Sequence, residues 1–429
     1  MREIMRGQVF LPGDDGFERA AAPWAVGVRQ QVVAVAEAAD ADDVVALVRY
    51  ARQAGLTVTA QPSGHGASGD VDGTILLRTG LLDEIAVDPD ERVVRAGAGA
   101  RWGQVLAATG KHGLAGPAGS SPVVSVAGFV AGGGLSWFGR KYGWAADSVC
   151  AFEIVDAGGE RVRVTASSDA DLFWALRGGG GDYGIITAVE LGLYEVPSLY
   201  GGRIVWPAAR TGEVFEAFQA VTADAPRELS LWLNRMVSPP PAPATVGIDV
   251  TFLGEVAEAE ELLAPLAAIG GSLSDSRGLM DVADLGAIAA EPVDPSPMLA
   301  RTELLTELPV DVLAGAELAP LLNVQIRHLG GALAEARPDG GPGGALGEPY
   351  LLYLLGLRLP HLAEAVRGKQ AALIAQLGEA VSGRKPYTFL APGESAAQAF
   401  PPEARARLAR IKRERDPGGV VRANFPITG

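Results

Sequence analysis

Cysteine is nearly absent. Cys150 stands alone among 429 residues, which excludes an internal disulfide and a thiolate metal cluster. Histidine is scarce as well: His65, His112, His328 and His361 lie far apart and none forms a ligand pair such as His-x3-His, so no zinc motif is present. Long Lys/Arg runs are lacking, and the net charge of −15 repels nucleic acid and anionic membrane surfaces, so neither is an expected partner. No apolar run reaches membrane-spanning length, and the stretch from Met1 to Pro12 carries Arg2 and Arg6 without the apolar core of a signal peptide. A reducing cytoplasm is the expected compartment, and a monomer or homodimer the expected assembly. Lysine is sparse beside abundant Gly and Ala, a composition that fits a GC-rich bacterial source.

What is present is the balance of a folded globular chain, 48% apolar and 20% charged, too long for one ordinary core. Residues 42–54 place Val44, Val45, Leu47, Val48 and Ala51 at helical spacing, with Asp40 as cap and Gly55 as stop. Short β runs follow at 56–60, 74–78, 84–87 and 93–96. Residues 102–110 read as a helix, 152–156 and 161–165 as a hairpin around Gly158-Gly159, 169–176 as a helix and 185–193 as a strand. A second unit begins near 200, with strands at 229–236, 246–253, 322–328 and 350–358 and helices at 256–269 and 362–379. The tail holds a basic helix, an Asp-Pro-Gly-Gly break at 416–419 and an extended end. Helices and strands mix without regular alternation, which predicts an α+β fold.

Three glycine clusters stand out: SGHGASG (63–69), GFVAGGG (128–134) and GGGGDYG (178–184). The last contains a formal G-x-G-x-x-G at Gly179, Gly181 and Gly184. A dinucleotide fingerprint of that kind must follow a strand and open a helix. Here a helix precedes and a strand follows, so the nicotinamide reading is rejected. Successive glycines still let bare backbone N–H groups approach a pyrophosphate, although tight turns between strands ask for the same residues.

The order PSGHGASGD (62–70), VDPDERVVRAGAGARWGQV (87–105), SSPVVSVAGFVAGGGLSWFGRKYGWAADSV (120–149), DLFWALRGGGGDYGIIT (171–187) and DPGGVVRANFPI (416–427) resembles the FAD-linked oxidases of the vanillyl-alcohol-oxidase superfamily. These have a PCMH-type FAD-binding domain. The resemblance is closest to the berberine-bridge-enzyme-like branch, with its hydroxynicotine oxidases and antibiotic-tailoring oxidases of bacterial secondary metabolism. It implies a loop, Ser63-Gly64-His65-Gly66-Ala67, that wraps the FAD pyrophosphate, with His65 bonded covalently to the flavin 8α-methyl carbon. Many relatives add a second bond from a cysteine just before a proline. Ser121-Pro122 occupies that place, which implies single attachment, and Cys150 is then a small buried apolar residue. Phe129 stands where plant members often have a histidine at the flavin pyrimidine edge, leaving backbone N–H groups or another side chain to hold charge there. Ala127, Gly128 and Gly132 to Gly134 carry over to the same cluster. Gly143, Ala146 and Asp147 carry over to a stretch along the FAD, Gly184, Ile185 and Thr187 to the adenosine end, and Asn424 to a tail position near the flavin.

The implied chemistry is oxidation of a small organic substrate (alcohol, sugar, phenolic, amine or natural-product intermediate) with dioxygen as the second partner. A base is expected from the middle domain, with Tyr350, Tyr353, Tyr387 and Glu348 as candidates and Tyr142 from the first domain. The expected division is residues 1–197 for FAD binding, 198–399 for substrate binding and 400–429 returning to the first domain. The alternatives are a flavin-dependent monooxygenase, a redox-neutral cyclase and a drug-sequestering flavoprotein.

Overall fold

A computed structural model describes residues 1–237 and 241–428. The helix Ala41–Ala54 shows how directly local sequence acts. Asp40 accepts hydrogen bonds from the backbone N–H groups of Asp42 and Asp43, and Gly55 ends the helix with a φ of 66°. Between those signals Val44, Leu47, Val48 and Ala51 bury one face of Ala41–Ala54. That face covers a four-stranded sheet in the spatial order Gln8–Phe10, Ala34–Glu37, Ile75–Arg78, Val58–Ala60. The last three strands run parallel.

A five-stranded antiparallel sheet follows, in the order Ile85–Asp88, Val93–Gly97, Ile185–Gly192, Val149–Val155, Arg161–Val164. Its hairpin closes as expected around Gly158-Gly159, where the Asp156 carboxylate accepts from the N–H groups of Gly158 and Glu160. Cys150 corrects an expectation: it is exposed, because Val149 and Ala151 take the inward face of the strand and the alternation turns Cys150 out.

The third sheet has eight strands. Ser274–Asp275, Tyr200–Pro207, Thr245–Phe252, Leu229–Met236, Asn323–His328, Tyr350–Leu357 and Met298–Leu305 lie side by side, and Gly278–Leu279 also pairs with Tyr200–Pro207. The paired long strands are antiparallel. One face is apolar: Leu231, Leu233, Ile248, Val250, Ile326, Leu352 and Leu354 pack beneath the helices Thr211–Ala223 and Ala363–Leu377. The continuous helix expected over 256–269 is two short ones, Val256–Leu262 and Ala264–Ala267. Pro265 breaks it, having no N–H to continue the ladder and a ring that crowds the preceding turn. The whole is α+β, with mixed helices and largely antiparallel sheets.

Buried contacts around Trp137 and Arg140 lock the eight-stranded sheet to the first part of the chain. Trp137 stacks on Trp232 at 3.5 Å, and Arg140 donates to the carbonyls of Leu229 (2.7 Å) and Ala225 (2.9 Å). The C-terminal segment returns across the molecule. After the helix Pro402–Arg415, the Asp182 carboxylate accepts from the backbone N–H groups of Ala423 and Ile427, both at 2.8 Å. Among the described residues no helix is long and apolar enough to cross a membrane.

Candidate functional site

A cavity of about 660 Å³ opens where the glycine clusters face the eight-stranded sheet. That volume suits a small molecule or cofactor. Its wall is assembled from segments far apart in sequence: the loop 60–67, the stretch 119–132, Gly180, Gly181 and Gly184, strand residues of the sheet, and the tail from Arg422 to Phe425.

His65 sits in this wall. Its ring stacks on Trp24 at 4.2 Å and 16°, and its Nδ1 shares a 2.7 Å hydrogen bond with the Ser63 hydroxyl. Nε2 is buried and has no partner among the described residues. Burial, aided by the charge of Arg101, pushes the imidazole pKa down to about 4, so the ring is neutral near pH 7 and keeps a lone pair. Gly64 next to it is required. Its φ is +79°, and a Cβ there would lie 2.8 Å from Pro23 Cα. Trp24 N–H donates to the Ser63 carbonyl at 3.0 Å, which holds the loop flat on Pro23-Trp24.

The expected residues divide cleanly by position. Ser63, Gly64, His65, Gly66, Ala67, Ser121, Ala127, Gly128, Phe129, Gly132, Gly184 and Asn424 line the cavity. Ser121 Oγ is buried without a partner among the described residues. The Phe129 ring lies edge-on to Trp102 at 5.6 Å, and added Cβ atoms at Gly119 or Gly134 would strike it. Asn424 accepts from Gln61 Nε2 at 2.5 Å, tying the tail to the loop that carries His65.

Others stand one layer back. Ala146 N–H donates to Gly133 O at 2.9 Å and Ala145 N–H to Gly134 O at 3.0 Å, so Gly143 to Asp147 backs the cluster rather than facing the cavity. Gly133 and Asp147 line a separate void of about 20 Å³. Pro122 packs on Gly103 and Gly286. Thr187 donates to the Glu153 carbonyl, and Ile185 joins the cluster under the helix Ala41–Ala54, while Ile186, on the opposite face of the strand, reaches the cavity.

Among the candidate bases the structure is selective. Tyr142 stacks on Tyr194 at 3.5 Å outside the cavity, with burial pushing its pKa up to about 12. Glu348 is buried against Arg384 and Tyr350 packs behind the sheet beside Phe218; neither reaches the cavity. Tyr387 lines the cavity, but its hydroxyl donates to Phe425 O at 2.7 Å and burial raises its pKa well above the phenol range. Tyr353 lines the cavity too, and burial raises its pKa despite the nearby Arg327 cation, so it is a neutral hydrogen-bond donor.

Sequence reasoning missed the polar face of the sheet. Arg203, Asn234, Gln325, Arg327 and Thr302 line the cavity beside Tyr353, and each pairs in register with a neighbour on that face. The signal was there: in LWLNRM, GIDVTF and NVQIRH polar residues alternate with apolar ones. Glu291 was missed as well. It lines the cavity and accepts a 2.6 Å hydrogen bond from the Ser120 hydroxyl. Trp24, stacked on His65, carried no signal at all.

This geometry fits a flavin. The bare backbone at 63–67 and 128–132 can meet a pyrophosphate, and the unpartnered His65 Nε2 and Ser121 Oγ need a partner that the cavity must supply. Comparison with known proteins agrees. The FAD binding domain family matches residues 32–165. The chain is 29% identical to (R)-6-hydroxynicotine oxidase of Paenarthrobacter nicotinovorans over 99% of its own length and 97% of that protein's. The crystal structure of 6-hydroxy-D-nicotine oxidase from Arthrobacter nicotinovorans superposes with a TM-score of 0.85 at 27% identity, covering 99% and 98% of the two chains. A berberine bridge enzyme variant shares the fold, with a TM-score of 0.84 at 19% identity over 99% and 97%. An FAD-dependent monooxygenase of Penicillium roqueforti matches at 32% identity, but over 48% of this chain and 41% of that protein. The chain thus carries an FAD binding domain, is similar along its whole length to (R)-6-hydroxynicotine oxidase, shares the fold of the berberine bridge enzymes, and is an FAD-dependent oxidoreductase.

Proposed function

We propose that this enzyme holds FAD through a single covalent bond from His65 to the flavin 8α-methyl carbon and oxidises a small organic molecule seated against the polar face of the sheet. One observation carries the attachment: His65 presents a neutral, buried and unpartnered Nε2 to the cavity while Ser63 and Trp24 fix its ring. Bound there, FAD would supply the two-electron acceptor for the substrate and a donor to dioxygen.

The chain's own residues do the rest. The loops 63–67 and 128–132 hold the cofactor through backbone N–H groups. Residues 1–197 and 400–429 form the FAD-binding part and 198–399 the substrate part. Tyr353 and Gln325 orient the substrate by hydrogen bonds, and Trp102 and Phe129 exclude water. Glu291, held by Ser120 and open to the cavity, is positioned to accept the substrate proton at a carboxylate oxygen. The whole-length relative whose name is an oxidase supports oxidase chemistry, and the fungal relatives named monooxygenases favour a second reading. Peroxide separates the two. A screen of phenolics, amines, sugars and organic acids for flavin bleaching without oxygen, followed by peroxide assay in air, should give stoichiometric peroxide for each bleaching compound. Bleaching without peroxide, with oxygen placed in the product, would overturn the oxidase reading.

A further inference from the structure

Two arginines of the cavity wall, Arg327 and Arg358, form no ion pair among the described residues, and Arg327 is the more deeply buried. Arg327 is 6% exposed and lines the cavity on strand Asn323–His328. Its guanidinium lies 3.8 Å from the Trp232 ring centroid and 5.2 Å from that of Phe389. Its Nε donates to Gln325 Oε1 at 2.6 Å. Gln325 then donates to Asn234 Oδ1 at 2.8 Å, and Asn234 donates to Asp249 Oδ2 at 3.0 Å.

That row ends on the one carboxylate within it, and Arg203 already holds Asp249 in a two-pronged pair. Glu291 shares the cavity, but Ser120 engages it and it forms no ion pair with Arg327. Among the described residues the two terminal nitrogens of Arg327 have no hydrogen-bond partner and no carboxylate at ion-pair distance. Aromatic faces and one amide hold the head in place, and Glu291 acts on it only from beyond ion-pair distance. Keeping a cation buried and unpaired is costly, and burial lowers its pKa accordingly. A guanidinium fork presents two parallel N–H groups, the match for a carboxylate.

We propose that Arg327 is a substrate-binding residue that clamps a carboxylate, so that the oxidised molecule is an organic acid. This rests on the cavity being the FAD and substrate site. The cofactor's own phosphates are served elsewhere, because bare backbone N–H groups lie on the glycine loops and Arg327 stands on the sheet.

The test uses the purified flavin-loaded protein, with benzoate and its neutral counterpart benzamide as probes, read by flavin absorbance changes and calorimetry. Wild type should bind benzoate more tightly than benzamide. Arg327→Gln should weaken benzoate by roughly ten- to a hundredfold and leave benzamide unchanged, the cost of a lost charge-assisted pair. Gln325→Glu, which sets a carboxylate against the Arg327 Nε and neutralises it in place, should abolish the preference without removing the arginine. Equal binding of the two probes by wild type, or unchanged benzoate affinity in both variants, overturns the proposal. Loss of flavin from Arg327→Gln but not from wild type also overturns it, since the arginine would then serve the cofactor. A wild-type protein without flavin would instead overturn the cavity reading itself.

Discussion

Several side chains hold the tail, Tyr387, Asp416 and Lys412 among them, and Asp182 is the one that takes two of its backbone N–H groups beyond residue 422, so Asp182→Asn is a sharp perturbation. Asp182 is buried, and its two carboxylate oxygens each accept one backbone N–H, from Ala423 and Ile427 at 2.8 Å. Asparagine keeps the shape but offers one acceptor and two donors. One of the two N–H groups would then face an NH2 group and lose its bond inside the protein. A hydrogen bond to a charged group contributes about 1.5–3 kcal/mol, and an orphaned buried donor costs about 1–3 kcal/mol. Burial raises the Asp182 pKa, so removing the charge recovers part of the desolvation penalty. The expected net loss is roughly 2–4 kcal/mol. It should be local, because the tail segment packs Asn424 and Phe425 into the cavity wall and Asn424 ties down Gln61. The surface pair of Arg422 with Asp70 is partly exposed and offers little compensation. Hydrogen exchange at the amides of Ala423 and Ile427, together with protease cleavage after residue 415, should speed up markedly in the variant, and the flavin-loaded fraction should fall. Unchanged exchange and unchanged flavin loading would refute the clamp.

Other expectations follow from single contacts. Ser121→Cys places a thiol at a buried, unpartnered position in the cavity wall, so peptide mapping should show a second flavin cross-link and the midpoint potential should rise; no cross-link would mean that position 121 does not face the ring. Phe129→His should tighten sulfite binding about tenfold, increasingly as pH falls towards 6, because an imidazolium there would stabilise the anionic adduct; equal affinity at every pH would remove Phe129 from the flavin edge. His328 is buried beside Arg140, and burial pushes its pKa down to about 3 from 6.5. A depressed histidine pKa stabilises the fold above pH 6.5, and that stability is lost as pH falls towards 3. Between pH 7 and 5 wild type should therefore lose about 2 kcal/mol more than His328→Gln in urea titrations, and parallel losses would contradict the buried neutral ring.

Much of the first third was legible because its signals are local. The helix Ala41–Ala54 carries its cap, its apolar stripe and its terminal glycine within sixteen residues of sequence. The loop around His65 was legible for a different reason, since its motif order matched a family. The polar face of the eight-stranded sheet was not, because Asn234, Gln325 and Arg327 read as the solvent side of half-exposed strands until the glycine loops close over them. Strand Met298–Leu305 was overlooked for a related reason: Glu303 looks misplaced in a core strand, yet Lys385 and Arg301 partner it. Tyr350 shows the limit of proximity in sequence. It shares a strand with Tyr353, but an odd offset of three puts it on the opposite face, among apolar neighbours.

The account turns on His65, and intact-mass spectrometry of the freshly purified protein tests it most directly. The expected mass is that of the polypeptide plus one FAD less two hydrogens, with the flavin on the peptide that contains His65 and no adduct in His65→Ala. Fresh wild-type protein at the bare polypeptide mass, or a flavin mapped to another peptide, would contradict it.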